Sequence, residues 1–384
     1  MNYIEATYLL SSEKKFDPEI KIKDYIKKIF GDIKHLPEVA DVDSFYDSDL
    51  KIYKALVKIK YPVILFRHDM SSVLSILYGE IVIPENIKLI NLDFHPAFLD
   101  HFKGPNFGVK GIKDAVGIHH RPLIAGTLVA LNGISKEKFK DIVTLSAEGG
   151  LDIIRESEIF FDDAMIPFEE RVKIASDIVS EFSQKSGKTI LYSPFITGSI
   201  TEITEKISMG IEQGIHLFTL NLFPLGFENL QFLSDTFRAG FIVNPGYPPF
   251  FFENDLFGIQ PTVFYGRFLR MAGADLVIIP SPYRNKTTPH HRSVEVASSL
   301  TEHFEDIKPS MPVIYGDIKP KDVYSTFTDF GNQIVIDIKD AFTRHKKGIK
   351  EGAKAYMDII ECVVSGSSYE ECKIINPDIT DFDL

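Results

Sequence analysis

Gly149-Gly150-Leu151-Asp152-Ile153-Ile154-Arg155-Glu156-Ser157-Glu158 is the stretch whose reading decides the fold. Leu151, Ile153 and Ile154 make a short apolar run, bounded by two glycines on one side and by Arg155, Glu156 and Glu158 on the other. That pattern reads as a buried strand that delivers charge at its C-terminal end. In a barrel of alternating strands and helices, this end of the strands is where chemistry sits.

The same rhythm repeats on both sides of the stretch. Apolar runs over 123–130, 151–155, 189–195, 216–222, 240–243, 275–280, 312–315 and 333–337 read as strands. Helical spacing follows in segments such as 136–147, 167–184, 200–212, 261–271, 294–304 and 348–360. Eight strand–helix units in about 240 residues is the count of a (β/α)8 TIM barrel. Breaker clusters at the strand-to-helix junctions, among them Asn132-Gly133, Thr197-Gly198-Ser199, Asn244-Pro245-Gly246 and Ser281-Pro282-Tyr283, mark the loops of its functional rim. Residues 1–120 read differently. A strand over 2–11, a helix over 18–30 ending at Gly31, strands around 54–60 and 62–67, a helix over 70–78 and a strand over 87–94 make an α+β ferredoxin-like domain. The expected organisation is α/β: this domain over 1–120, the barrel over 121–364 and an acidic tail over 365–384.

Composition narrows the partners. The 384 residues carry a net charge of −12, which argues against nucleic acid, since phosphate contact needs clustered Lys and Arg. No apolar run approaches the roughly 20 residues that span a bilayer, and Met1-Asn2-Tyr3-Ile4-Glu5 has neither the basic nor the apolar part of a secretory leader, so a cytoplasmic protein is expected. Two cysteines, Cys362 and Cys372, are expected as reduced thiols in that compartment.

An α+β domain ahead of a (β/α)8 barrel resembles the RuBisCO large subunit and, more closely, the RuBisCO-like (form IV) proteins. The local text carries the resemblance: Phe102-Lys103-Gly104-Pro105-Asn106-Phe107-Gly108 looks like the entry to the barrel, followed by Arg121-Pro122-Leu123. Gly149-Gly150-Leu151-Asp152 looks like the second barrel strand. Ala272-Gly273-Ala274-Asp275 with Pro280-Ser281-Pro282-Tyr283 looks like the sixth strand of the RuBisCO-like enolases. The resemblance implies a homodimer, Mg2+ as the family metal, and a lysine after the second strand whose carbamate joins an Asp and a Glu as metal ligands.

Here the matching residues are Arg155-Glu156-Ser157-Glu158. A guanidinium stays protonated and forms no carbamate, Ser157 is a weaker ligand than a carboxylate, and Glu158 alone survives as a candidate metal ligand. The expectation is therefore that no cofactor serves this chain, the guanidinium filling part of the lost ion's electrostatic role. The family's lysines at the end of the first strand are Val129 and Leu131, its histidine after the fifth strand is Asn244, and its Gly-Asn in the N-terminal domain is Gly79-Glu80. The phosphate loops read Tyr315-Gly316-Asp317 and Lys339-Asp340-Ala341, where acidic groups oppose a phosphate. CO2 fixation is excluded on these departures.

The candidate catalytic residues are Arg155, Glu158, His290 and His291. Arg155 would hold a carboxylate or enolate oxygen, Glu158 would move a proton, and one histidine would contact substrate or act as a base. Asn244, Ser281, Gly316, Lys319 and Lys339 are the candidate substrate-binding set, Lys286 adds rim charge, and Tyr247 with Phe250, Phe251 and Phe252 read as a lid or interface plug. His119-His120 precedes the first strand and reads as structural. Two function classes follow. One is a diverged enolase, isomerase or decarboxylase acting on a small keto sugar, its phosphate or a keto acid, independent of the metal or with an altered site. The other is a non-catalytic RuBisCO-like binding or regulatory protein, in which Arg155 and Glu158 only close the vacated site as an ion pair.

Overall fold

Alternating burial along Tyr3–Ser12 builds the first strand, β1, and with it the first layer of the fold. In the computed structural model, which describes residues 2–82, 86–129, 133–160, 166–246, 254–283 and 289–382, β1 pairs antiparallel with β3 (Ile52–Pro62) and with β4 (Ile87–Asp93). The outer strand β2 (Glu38–Asp47) pairs with β3. The helix Pro18–Phe30 starts at Asp17, whose carboxylate accepts Ile20 N–H at 3.0 Å, and buries Ile22 and Ile26. Two differences from the sequence reading stand out. β2 was not expected, because this edge strand buries none of its residues and its apolar ones, Val39, Val42, Phe45 and Tyr46, do not alternate. The strands expected over 54–60 and 62–67 are one strand that ends at Pro62, where the chain enters the turn Val63–Leu65.

The second sheet is the barrel. β5 (Leu123–Leu128), β6 (Ile153–Glu156), β7 (Leu191–Ser193), β8 (Leu217–Asn221), β9 (Gly240–Asn244), β11 (Leu276–Pro280), β12 (Met311–Tyr315) and β13 (Val335–Asp337) are all parallel, in the order β7-β6-β5-β13-β12-β11-β9-β8. A parallel bridge between Phe195 and Thr219 closes the ring between β7 and β8. The short strand β10 (Gly258–Ile259) leaves the barrel and pairs with β4, extending the N-terminal sheet to five strands. Gly149 is demanded by packing: a Cβ there would lie 2.4 Å from the Ala353 Cβ and 2.7 Å from the Lys350 carbonyl oxygen on the helix Ile349–Val364.

Two expectations about the C-terminus change. Cys362 and Cys372 are bonded to each other as a disulfide, with Cα atoms 5.9 Å apart. The reduced-thiol expectation came from compartment and count, which say nothing about two residues brought together across a helix pair. Residues 365–382, expected as a tail, contain the helix Tyr369–Ile375, started by a capping box of Ser368 and Glu371, and a bridge from Phe382 back to His345.

Asp275 fastens the barrel entry. Its carboxylate accepts Phe107 N–H at 2.6 Å, Gly108 N–H at 2.9 Å and Phe241 N–H at 3.1 Å, in full burial. Burial outweighs these bonds and pushes its carboxyl up to about 6. The folded value lies above the unfolded one, so the stability it contributes is complete below the unfolded value and is lost as pH rises through about 6. Asp275→Asn does not titrate. The advantage of the wild type over Asp275→Asn is therefore expected to shrink by about 2 kcal/mol between roughly pH 4.5 and 7. Urea denaturation of both proteins at the two pH values checks this; an advantage that grows with pH contradicts it.

Candidate active site

Arg155, with Arg171 and Arg270, is one of the three largest fully buried side chains among the described residues, and it lies where β6 ends. Its Nε donates to Asp337 Oδ2 at 2.5 Å, and its Nη1 donates to Glu158 Oε1 at 3.0 Å and to the Glu156 carbonyl at 3.3 Å. Nη2 has no hydrogen-bond partner among the described residues, although it is buried. The Tyr315 ring lies over the guanidinium, 5.0 Å from centroid to Cζ. Burial pulls the Arg155 pKa down, but Asp337 and then Glu158 outweigh it and hold the group above the ordinary guanidinium range. One cation against two carboxylates leaves the cluster at −1.

Asp337 is the residue that the sequence reading missed. It is fully buried, accepts Thr127 Oγ1–H and Lys339 N–H at 2.9 Å, and ends β13 as Arg155 ends β6. The signal was present: Ile334-Val335-Ile336-Asp337 is another apolar run ending in charge. Glu158 also accepts Asn244 Nδ2–H at 3.1 Å, so the structure brings Arg155, Glu158, Asn244 and Asp337 into one cluster at the C-terminal ends of β6, β9 and β13. A cavity of about 580 Å³ is lined by Thr127, whose hydroxyl bonds Asp337, and by Val129, Ser135, Lys138 and Asp340 among others, but by none of the four cluster residues.

Glu156, next to Arg155, points into a separate buried network. Its carboxylate accepts Arg171 Nε–H at 2.6 Å, Tyr192 O–H at 2.5 Å and Phe195 N–H at 2.9 Å. Alternation along β6 sends neighbouring side chains to opposite faces, so the Arg155 and Glu156 pairs lie on opposite sides of one strand.

The remaining candidates are more scattered. Ser281 follows β11, its N–H bonded to the Tyr315 carbonyl at 2.8 Å, and its buried hydroxyl has no partner among the described residues. Gly316 lies against it, since a Cβ there would be 3.5 Å from Ser281 Cβ. Lys339 is in the left-handed region with φ of 54°, and Lys319 caps the helix Pro320–Phe330. His290 and His291 open the helix His290–Thr301; His290 Nε2 pairs with Asp329 at 2.8 Å, and Asp329 also accepts the Tyr283 hydroxyl. Among the described residues, neither histidine bonds to the Arg155 cluster. Leu131, Tyr247, Phe250, Phe251, Phe252 and Lys286 lie outside the described residues. His120 Nε2 lies 3.2 Å from Glu361 at the opposite end of the barrel, beside a cavity of about 630 Å³ that the buried Arg121 and Asp152 also line. This cavity is the larger of the two, but it is at the end of the strands that carries no catalytic residues in such barrels.

Both carboxylates beside β6 already accept the guanidinium, and no three His, Cys, Asp or Glu side chains among the described residues converge as a metal centre. No helix among the described residues is long and apolar enough to cross a membrane.

Residues 108–379 match the ribulose bisphosphate carboxylase large chain, catalytic domain. The 2,3-diketo-5-methylthiopentyl-1-phosphate enolase of Geobacillus thermodenitrificans is 28% identical over 97% of this chain and 95% of its own. A rubisco-like protein (MtnW) of Alicyclobacillus acidocaldarius has a TM-score of 0.89 at 24% identity, covering 99% of this chain and 98% of its own. The octameric ribulose-1,5-bisphosphate carboxylase/oxygenase of Pyrococcus horikoshii has a TM-score of 0.89 at 22% identity, covering 99% and 94%. The likeness to enolases along almost the whole chain corrects the expectation that no cofactor is involved, because Mg2+ is the metal of their family. That expectation rested on Arg155 and Ser157 standing where the resemblance places metal ligands, and the likeness to these enolases overturns it. By the match over 108–379 and the fold shared from end to end, the chain belongs to the RuBisCO large-chain family, in its RuBisCO-like, form IV branch.

Proposed function

We propose that this protein enolises a small phosphorylated diketone, 2,3-diketo-5-methylthiopentyl-1-phosphate or a close analogue, and does not fix CO2. The observation that carries the reading is the buried Arg155 guanidinium, which has an N–H donor left over beside Glu158 at the end of the barrel where substrates bind. A buried cation with an unused donor suits an oxygen that becomes negative during the reaction.

In this reading a Glu158 oxygen takes the proton from a carbon next to a carbonyl, carbon 1 or carbon 4 of the diketone. The C–H electron pair becomes the new C=C bond, and the carbonyl π pair moves onto oxygen. Arg155 Nη2–H meets that oxyanion, and the proton then returns to oxygen to give the enol. Asn244 holds Glu158 by its 3.1 Å bond, so the proton carrier and the oxyanion donor share one guanidinium. Lys319 and Lys339 supply positive charge for the phosphate. Asp317 and Asp340 oppose it less than their charges suggest, because Arg344 lies 3.9 Å from the first and 3.2 Å from the second. Ser281 and Gly316 line the substrate side of β11 and β12, and His290 and His291 stay on the rim as contacts for the far end. A homodimer accords with oligomeric neighbours of known structure such as the Pyrococcus protein.

Purified protein mixed with 2,3-diketo-5-methylthiopentyl-1-phosphate, with Mg2+ in the buffer, is expected to produce the ultraviolet absorbance of a conjugated enol. Ribulose 1,5-bisphosphate with labelled bicarbonate is expected to yield no labelled acid. Absence of enol from the diketone, or labelled acid from the bisphosphate, overturns the reading.

A further inference from the structure

Tyr315 ends β12 one residue before Gly316, and its ring covers the Arg155 guanidinium at 5.0 Å. The hydroxyl belongs to the same charge cluster: Asp337, Glu158 and Asp340 all oppose its ionisation, and Arg155 favours it. No hydrogen bond to that hydroxyl is formed by any described residue, and the side chain is only half-buried. A phenol seldom stays unpaired beside so many polar groups unless something else is to be its partner.

We propose that Tyr315 is a second oxyanion donor, its hydroxyl bonding one oxygen of the substrate's vicinal dicarbonyl while Arg155 Nη2–H bonds the other. A vicinal dicarbonyl presents two oxygens side by side, and enolisation places charge on one and polarises its neighbour, so two donors serve it better than one. The phenol donates a hydrogen bond and keeps its proton. Burial first, and then Asp337, push its pKa up to about 12, so it is neutral and able to donate at physiological pH. The ring has a second duty, because its face over the guanidinium keeps Arg155 from turning toward solvent.

This inference rests on the proposed diketone enolase activity, and its test separates the two. Tyr315→Phe keeps the ring over Arg155 and removes only the hydroxyl; Tyr315→Leu removes both. Enol formation from 2,3-diketo-5-methylthiopentyl-1-phosphate is measured for wild type and both variants, with near-ultraviolet circular dichroism confirming the fold. The expected result is a kcat for Tyr315→Phe lower by about 10²-fold, with KM within a few-fold of wild type, and a further loss for Tyr315→Leu. An active wild type with Tyr315→Phe within twofold of it overturns the role of the hydroxyl and leaves the enolase reading standing. If Tyr315→Phe misfolds, solvent deuterium exchange into the diketone by wild type containing 3-fluorotyrosine decides instead: a changed pH dependence supports the role, and an unchanged one overturns it. A wild type that forms no enol overturns the enolase reading, and this inference with it.

Discussion

Arg155→Met is expected to lower the folding free energy by about 3–5 kcal/mol, because it leaves two carboxylates without the cation that both of them bind. Asp337 is fully buried and Glu158 nearly so, with 0% and 11% of their side chains exposed. Neither can recover its hydration while the barrel stays closed. Removing Asp337 as well, as Arg155→Met with Asp337→Asn, takes away the most buried of the stranded charges, so the double variant is expected to lose less than the two single variants added together. Urea denaturation of the three proteins gives the coupling. The penalty of Arg155→Met is also expected to shrink as pH falls, since a stranded buried carboxyl is relieved by protonation. Losses that simply add, or a penalty independent of pH, would mean that the guanidinium is not what compensates Asp337.

The second large effect belongs to Glu156. Glu156→Ala removes the acceptor of three donors at once: the Arg171 guanidinium, the Tyr192 hydroxyl and the Phe195 N–H. Arg171 is itself fully buried, stacked 4.4 Å from the Phe160 ring centroid. Taking the charged acceptor away from these three buried donors is expected to cost about 3–5 kcal/mol, whereas Glu156→Leu combined with Arg171→Met exchanges a buried ion pair for apolar side chains and is expected to cost less than Glu156→Ala alone. Denaturation of Glu156→Ala and of the double variant ranks the two. The opposite ranking would show that the Tyr192 and Phe195 bonds, not the ion pair, make this network stabilising.

The barrel was legible in the sequence because its strands are buried on both faces and stand out as apolar runs between turn residues. The charge at the end of β6 was legible for the same reason, since Arg155 and Glu158 interrupt an apolar run. Asp337 carries the same mark and was passed over, because the family comparison directs attention to the loop beyond it, Lys339-Asp340-Ala341. The Arg155–Glu158 pair was legible three residues apart on one strand end, but the second partner of Arg155 was not. Arg155 and Asp337 are 182 residues apart and meet only when the ring closes, and the pattern of either strand alone cannot give its partner. β2 left no trace because its apolar residues Val39, Val42, Phe45 and Tyr46 follow no strict alternation and stay exposed or half-buried at the sheet edge. The Cys362–Cys372 bond depends on how the helix Tyr369–Ile375 folds back on Ile349–Val364, a tertiary matter that a ten-residue spacing does not reveal.

Solvent deuterium incorporation tests the central claim most directly, that Glu158 moves a carbon-bound proton beside the Arg155 guanidinium. 2,3-Diketo-5-methylthiopentyl-1-phosphate is incubated in D2O with wild type and with Glu158→Gln, and the recovered diketone is examined by proton NMR. Wild type is expected to exchange protons at one carbon next to a carbonyl, and Glu158→Gln, folded and with Arg155 still bound to Asp337, is expected to lose that exchange by at least about 10²-fold. Equal exchange by the two proteins would contradict the account.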